Sequence, residues 1–229
     1  SEVMAKEYSH QFKLPFFALM NCLDVSNDID LEDDTKKKVS TGVKSFVYCG
    51  GLHLNRWKSL LSLCDAISHN SYSGKIRFYI YTKPEDWEKY GNYFNSYEFV
   101  NYEGFLSNQE MYRKLYKYEV LVHVESFDEQ VIKYTRLSIS TKIPEYLSRK
   151  KLILAIGPKG IASIEYLREN NAAIIIDELT DHEFEDKLMK VIDNQNNDVI
   201  NNSYQLFLKY HTKSNQFNIL SKVLTIDAD

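Results

Sequence analysis

Six short runs of β-branched and aromatic residues, each followed by a stretch with helical spacing, constrain this chain more than any other feature. The runs are Lys44–Cys49 (KSFVYC), Ile76–Tyr81 (IRFYIY), Tyr97–Tyr102, Val120–Val124, Leu152–Ile156 (LILAI) and Ala173–Ile176. Between them apolar residues recur at helical intervals: Leu60, Leu63, Cys64 and Ile67; Met111 and Leu115; Ile161, Ile164 and Leu167. Strands that alternate with helices predict a parallel sheet covered on both faces. The continuous apolar character of the strands agrees, because a strand buried on both sides keeps no polar face. The expected fold is α/β: a doubly wound, mostly parallel, Rossmann-like sheet of about six strands with helices on both faces.

Local signals fill in the rest. Ser107-Asn108-Gln109-Glu110 and Thr180-Asp181-His182-Glu183 read as capping boxes that open helices. Further helices are expected over Glu85–Tyr93, near Pro144–Arg149, and through the tail from Asp198 to Val223. The opening is different. Ser1–Lys13 reads as the end of a helix, Pro15–Asn21 as a short strand, and Val25–Lys38 as a charged, solvated linker. The expected division is therefore a leading segment and linker over 1–43, then one α/β domain with C-terminal helices over 44–229.

Charge and cysteine usage narrow the function. A net charge of -4 argues against a general nucleic-acid binder. An anionic ligand has to be held by a few placed cations and not by the overall field. Cys22, Cys49 and Cys64 are odd in number and form no C-x-x-C pair, so they predict neither a disulfide framework nor a zinc site and fit a reducing cytoplasm. No apolar run has the length of a transmembrane segment. The start, Ser1-Glu2-Val3-Met4, lacks a signal-peptide pattern and already lies in an amphipathic segment, which suggests a piece of a longer protein.

Ligands of doubly wound sheets bind beyond the carboxyl ends of the strands. That rule selects the loops after Cys49, Tyr102, Val124 and Ile156. The first reads Gly50-Gly51-Leu52-His53-Leu54-Asn55-Arg56-Trp57-Lys58. Its glycines permit close backbone approach, the helix that follows is expected to offer free N–H groups, and Arg56 has the geometry to grip a diphosphate. A plain turn with a solvated Arg56 is the competing reading, and the G-x-G-x-x-G fingerprint is absent. The second, Tyr102-Glu103-Gly104-Phe105-Leu106-Ser107, is either a cradle for a flat base or a simple connection whose Phe105 packs on the sheet. The third stretch runs from Leu137 to Leu147. Ser140 or Thr141 is expected to cap a helix with Pro144 in its first turn. Lys142 and the first-turn N–H groups then make an anion site, and Glu145 faces a diol. Ile143, Tyr146 and Leu147 read as core contacts. Two D-x-D matches, Asp28-Ile29-Asp30 and Asp227-Ala228-Asp229, follow no strand and are treated as coincidence. The histidines, His53 and His123 included, show no metal-ligand spacing.

Together these segments resemble the C-terminal, donor-binding domain of GT-B glycosyltransferases, in particular the GT4-like bacterial enzymes. Phe46 to Arg56 looks like the family's first strand and glycine turn, and Tyr102–Leu106 like its base-binding turn. Tyr118–Val122 looks like the strand before the donor loop, and Ser140–Ala155 like the segment that closes on the nucleotide. The resemblance spans roughly Lys44 to Asn194.

The resemblance implies a nucleotide-sugar donor, no metal cofactor, and a sugar or lipid-linked glycan acceptor held by an N-terminal domain outside this chain. It implies cytoplasmic location, with membrane association only through the rest of a longer protein. Arg56 and Lys142 would stabilise the departing diphosphate. Gly50, Gly51, Gly104, Phe105, Leu106, Ser140 and Thr141 would line the donor, and Glu145 would match the second carboxylate of E-x7-E, which binds ribose hydroxyls. The first carboxylate falls at Leu137, with Asp128 or Glu129 as substitutes. Gly51 stands where many relatives carry a second arginine, and Lys150 and Leu152 stand for the usual glycine and proline. These departures keep two alternatives open: a non-catalytic nucleotide-binding or flavodoxin-like module, and a GT-B-fold nucleotide-sugar epimerase.

Overall fold

The computed structural model describes residues 1–24, 42–70, 72–193 and 196–226. The charged linker and both D-x-D matches lie outside them. Six strands form one all-parallel sheet in the order β3-β2-β1-β4-β5-β6: β1 (Lys44–Cys49), β2 (Ile76–Tyr81), β3 (Val100–Tyr102), β4 (Val120–Val124), β5 (Leu152–Ile156) and β6 (Ile174–Ile176). The chain winds outward from β1 to β3, returns to β4 beside β1, and winds outward again. β1 and β4 therefore diverge into opposite halves of the sheet, and the crevice above them is where such folds bind ligands.

Alternate residues on each strand feed two separate cores. Phe46, Phe78, Val122, Leu154 and Ile176 point to one face, where Leu60, Leu63 and Ile67 of α2 (Arg56–His69) and Phe184 and Leu188 of a later helix cover them. Val47, Leu121, Ile153 and Ile175 point to the other, under Met111, Ile143, Leu147, Ile164 and Phe207. This double burial explains why the strands lack a polar face. The remaining helices are α1 (Glu2–Phe12), α3 (Pro84–Tyr90), α4 (Asn108–Lys114), α5 (Glu129–Thr135), α6 (Lys142–Leu147), α7 (Ala162–Glu169), α8 (Asp181–Ile192), α9 (Asn197–Tyr210) and α10 (Lys213–Ile226). Ser107 and Glu110 close the expected capping box at α4. At α8 the Thr180 hydroxyl accepts from the Glu183 N–H.

Three expectations need correction. Pro15–Asn21 is not a strand; only an isolated bridge joins Leu23 to Thr212. The stretch between Val124 and Pro144, expected to be irregular, contains α5, capped by Asp128, whose side chain accepts from the Gln130 and Val131 amides. The tail is two helices, because the chain breaks at His211 and Thr212.

That break anchors the leading segment. The Leu23 N–H donates to the His211 carbonyl at 2.9 Å, and the Lys213 N–H donates to that of Leu23 at 3.1 Å. Nδ1 of the fully buried His211 lies 2.9 Å from the Asn21 carbonyl, so it carries the proton and donates, while Nε2 accepts from the Tyr166 hydroxyl at 2.9 Å. Burial holds the pKa of His211 below its ordinary 6.5, only partly opposed by the bond to Asn21. The unfolded chain then takes up this proton first as pH falls. The contribution of His211 to stability is complete above pH 6.5 and is lost as pH drops through that value toward the folded pKa. Between about pH 7.5 and about pH 5.5 the urea midpoint is expected to fall, and His211→Gln to reduce that fall. An equal fall in both proteins would count against this role.

Candidate functional site

A cavity of about 310 Å³ opens at the carboxyl ends of β1 and β4. Its walls are Tyr48, Cys49, Gly50, Gly51 and Arg56 from the first half, with Val122, His123 and Val124 from β4. Ile139, Ser140, Thr141, Lys142 and Tyr146 close it from the loop before α6 and from α6 itself. The structure thus brings Arg56, Lys142, the glycine turn, Ser140 and Thr141 to one place, although about ninety residues separate the two stretches by sequence position.

The glycine turn is braced on both sides. The Tyr48 hydroxyl donates to the Gly51 carbonyl at 2.7 Å, and the Gly50 N–H donates to the Tyr81 carbonyl at 3.0 Å. Asp86 of α3 accepts from the Leu52 N–H at 2.8 Å. A side chain at Gly50 would meet the Tyr48 hydroxyl at 2.8 Å, which accounts for glycine there. Tyr146, expected as a plain core contact, also accepts from the Cys49 N–H at 3.2 Å and so ties α6 to the end of β1. Burial pushes the Cys49 thiol up to about 12, so it is neutral at physiological pH.

The two helix starts differ from expectation. At α2 the Arg56, Trp57 and Lys58 amides donate to the carbonyls of His53, Leu52 and Asn55 at 3.3, 3.4 and 3.1 Å. Leu54 and Asn55 reach this arrangement through left-handed backbone, with φ of 56° at each. At α6 the Ile143 N–H donates to the Ser140 carbonyl at 3.1 Å and the Lys142 N–H to the Ser140 hydroxyl at 3.4 Å, while Thr141 makes no side-chain cap. First-turn amides at both helices are therefore occupied. Any anion in the cavity depends on the side-chain cations.

Both cations already have carboxylate partners. Arg56 donates through Nη2 to Glu125 Oε2 at 3.2 Å. Glu125 is 3% exposed, and its other oxygen lies 3.3 Å from Nε2 of the equally buried His123, outside hydrogen-bond geometry. Burial pushes the Glu125 carboxyl up, but His123 and Arg56 outweigh it and the net shift is downward. Lys142 lies 3.4 Å from Glu145 Oε2 and 3.5 Å from Asn108 Oδ1. For Glu145 burial wins over Lys142 and Arg149, and its pKa is raised.

Other expected residues fall elsewhere. Gly104, Phe105 and Leu106 follow β3, two strands away from β1, and do not line the cavity. Gly104 has a φ of 81° and its carbonyl accepts from the Thr82 N–H. Phe105 is 58% exposed, so it does not pack on the sheet. Asp128, besides capping α5 through Oδ1, accepts from the Asn55 amide at 3.0 Å through Oδ2, so both its oxygens are already engaged. Sequence reasoning missed Glu125. The signal was its position, one residue past β4 on the ligand edge.

No protein-family model matches the sequence, and no curated protein matches it either. Solved structures do match. A point mutant of S. aureus TarM, in complex with Fondaparinux, alpha-GlcNAc-glycerol and UDP, superposes with a TM-score of 0.68 at 14% identity, covering 98% of this chain and 42% of that one. The chain shares its fold with part of solved glycosyltransferase structures. A Rickettsia africae glycosyltransferase gives 0.67 at 10% identity, covering 98% of this chain and 61% of that one. The pneumococcal O-GlcNAc transferase GtfA, in complex with UDP and GlcNAc, gives 0.60 at 14%, covering 100% and 44%. The chain spans less than half the length of the first matching structures, two trehalose-6-phosphate synthases and TarM. Among the described residues no helix is long and apolar enough to cross a membrane.

Proposed function

We propose that this chain is the donor-binding half of a glycosyltransferase that moves a sugar from a nucleoside-diphosphate sugar to an acceptor in polysaccharide or glycan biosynthesis. One observation carries the proposal. Arg56 and Lys142 reach the same crevice at the point where the sheet reverses direction, from opposite walls of the cavity. The geometry suits a diphosphate, with a planar fork on one side and a point charge on the other. In the transfer step the bond from the sugar's anomeric carbon to the diphosphate breaks. Negative charge then grows on the departing oxygen while the sugar takes oxocarbenium character. Arg56 and Lys142 oppose that growing charge. Gly50 and Gly51 let the phosphates approach the backbone, and Ser140 and Thr141 contribute hydroxyls beside Lys142. Glu145 accepts from the ribose hydroxyls once a ligand draws Lys142 away, and Gly104–Leu106 form the outer wall on the base side. Residues 44–229 form this domain, and 1–43 lead from an N-terminal domain that holds the acceptor.

Calorimetry with UDP, GDP and ADP tests the reading. One of the three is expected to bind, without turnover by the chain alone. Glu145→Ala is expected to lower its affinity about tenfold, the worth of one hydrogen bond to a charged group. The 2′,3′-dideoxy form of the same nucleotide should lose little. Absence of binding by all three nucleotides would instead favour a non-catalytic module, the reading that an apolar Leu137 at the place of a carboxylate supports.

A further inference from the structure

The two cations that line the cavity are not free. Arg56 faces the buried Glu125 and Lys142 the half-buried Glu145, both carboxylates lying behind the cavity lining. A diphosphate entering this cavity meets cations that are already engaged. We infer that Glu125 is a positioning residue that holds Arg56 against β4 while the site is empty and releases it when a diphosphate arrives. This inference rests on the donor-site reading given above.

Three observations support the exchange. First, the backbone of Glu125 is held on both sides. Its N–H donates to the Ile156 carbonyl at 2.8 Å, and its carbonyl accepts from the buried Ser59 hydroxyl at 2.7 Å. With its backbone held and its side chain 4% exposed, the carboxylate has little room to follow a departing arginine. Second, Arg56 is only partly buried, with 21% of its side chain exposed, and it contacts Glu125 through a single nitrogen at 3.2 Å. One such bond leaves most of the guanidinium donors available to turn toward the cavity. Third, the carboxylate keeps a neighbour after Arg56 leaves. His123 Nε2 is buried, has no hydrogen-bond partner, and lies 3.3 Å from Glu125 Oε1. A small shift of either side chain gives Glu125 a replacement donor, so the arginine departs without stranding a buried charge.

The exchange has a cost, because the ligand has to displace one charge-assisted bond before it makes its own. Removing the negative charge at position 125 removes that competitor. Glu125→Gln keeps the size and a hydrogen-bonding side chain. It is expected to bind inorganic pyrophosphate and UDP about tenfold more tightly than the unaltered 229-residue chain, the worth of one charged hydrogen bond no longer contested. Affinity for uridine, which has no phosphate, should stay the same. A merely structural glutamate gives the reverse pattern, with all ligands weakened together.

Calorimetry on both proteins with pyrophosphate, UDP and uridine reads this directly. If UDP binds the unaltered chain and Glu125→Gln leaves pyrophosphate affinity unchanged or lower, the exchange is refuted while the donor-site reading stands. If no nucleotide binds but pyrophosphate does, and Glu125→Gln strengthens it, the donor-site reading fails while the exchange stands. A crystal structure of the unaltered chain with pyrophosphate covers the case in which the variant does not fold. Arg56 should then lie beyond ion-pair distance of Glu125 and on the ligand. An Arg56 still paired with Glu125 beside a bound ligand would overturn the inference.

Discussion

Phe46→Ala is expected to lower the stability of this chain by about 3–5 kcal/mol, the range for a buried phenylalanine truncated in a packed core. Phe46 is fully buried at the centre of the sheet. It stands in register with Phe78 on β2 and Val120 on β4, so its ring is packed between neighbours on both sides. The loss combines the lost burial of the ring with an unfilled cavity, because strands held by ladders on both edges cannot close the gap. Domains of this size have about 5–15 kcal/mol in total, so the variant loses a large share of it. Urea unfolding followed by circular dichroism measures the difference. Phe46→Leu keeps most of the volume and should cost less than about 1.5 kcal/mol. A loss below about 1 kcal/mol for the alanine variant would show that the sheet relaxes around the site, contrary to the tight packing of parallel strands.

The same parallel packing made the fold legible. Both faces of the sheet are covered, so the strands appear in the sequence as unbroken apolar runs such as LILAI, and all six runs became strands. Their boundaries were less clear. Tyr97–Tyr102 shrank to Val100–Tyr102, because the Tyr97 hydroxyl donates to Asp65 and its carbonyl accepts from the Val100 N–H in a turn. Elements set by tertiary contacts were not legible. Pro15–Asn21 carries strand-forming residues but meets no sheet edge, and α5 has no long apolar period to announce it.

The candidate site divides along the same line. Arg56 and Lys142 could be selected from local sequence, because each lies at a helix start after a turn. Their partners could not. The charge balance of the cavity depends on Glu125, just past β4, which pairs with an arginine 69 positions away. The expectation of free helix amides failed for a similar reason. Whether a first-turn N–H is free depends on the turn before it, and here Leu54 and Asn55 fold that turn back under α2. Strand ends alone select Gly104–Leu106 together with the cavity residues, and only the sheet order shows that they lie two strands out from β1.

Arg56→Ala is expected to lower affinity for the bound nucleoside diphosphate by about a hundredfold, near the upper end for a hydrogen bond to a charged group. The size of this loss follows from how the cavity is built. Backbone donors at both helix starts are spent, so the phosphates have few partners besides Arg56 and Lys142. Lys142→Ala should cost less, because its ammonium is a point charge shared with Glu145 and Asn108 and cannot grip two oxygens at once. Arg56→Lys should fall between the two, since it keeps the charge and loses the fork. Removing Arg56 also leaves Glu125 with only His123, so the variant should unfold at lower urea concentration. Binding must therefore be measured well below that midpoint, with the free nucleoside as control. A loss confined to ligands that carry phosphates assigns Arg56 to the diphosphate. An equal loss for the nucleoside would assign it to the shape of the cavity, and the anion site would then have to rest on Lys142 alone.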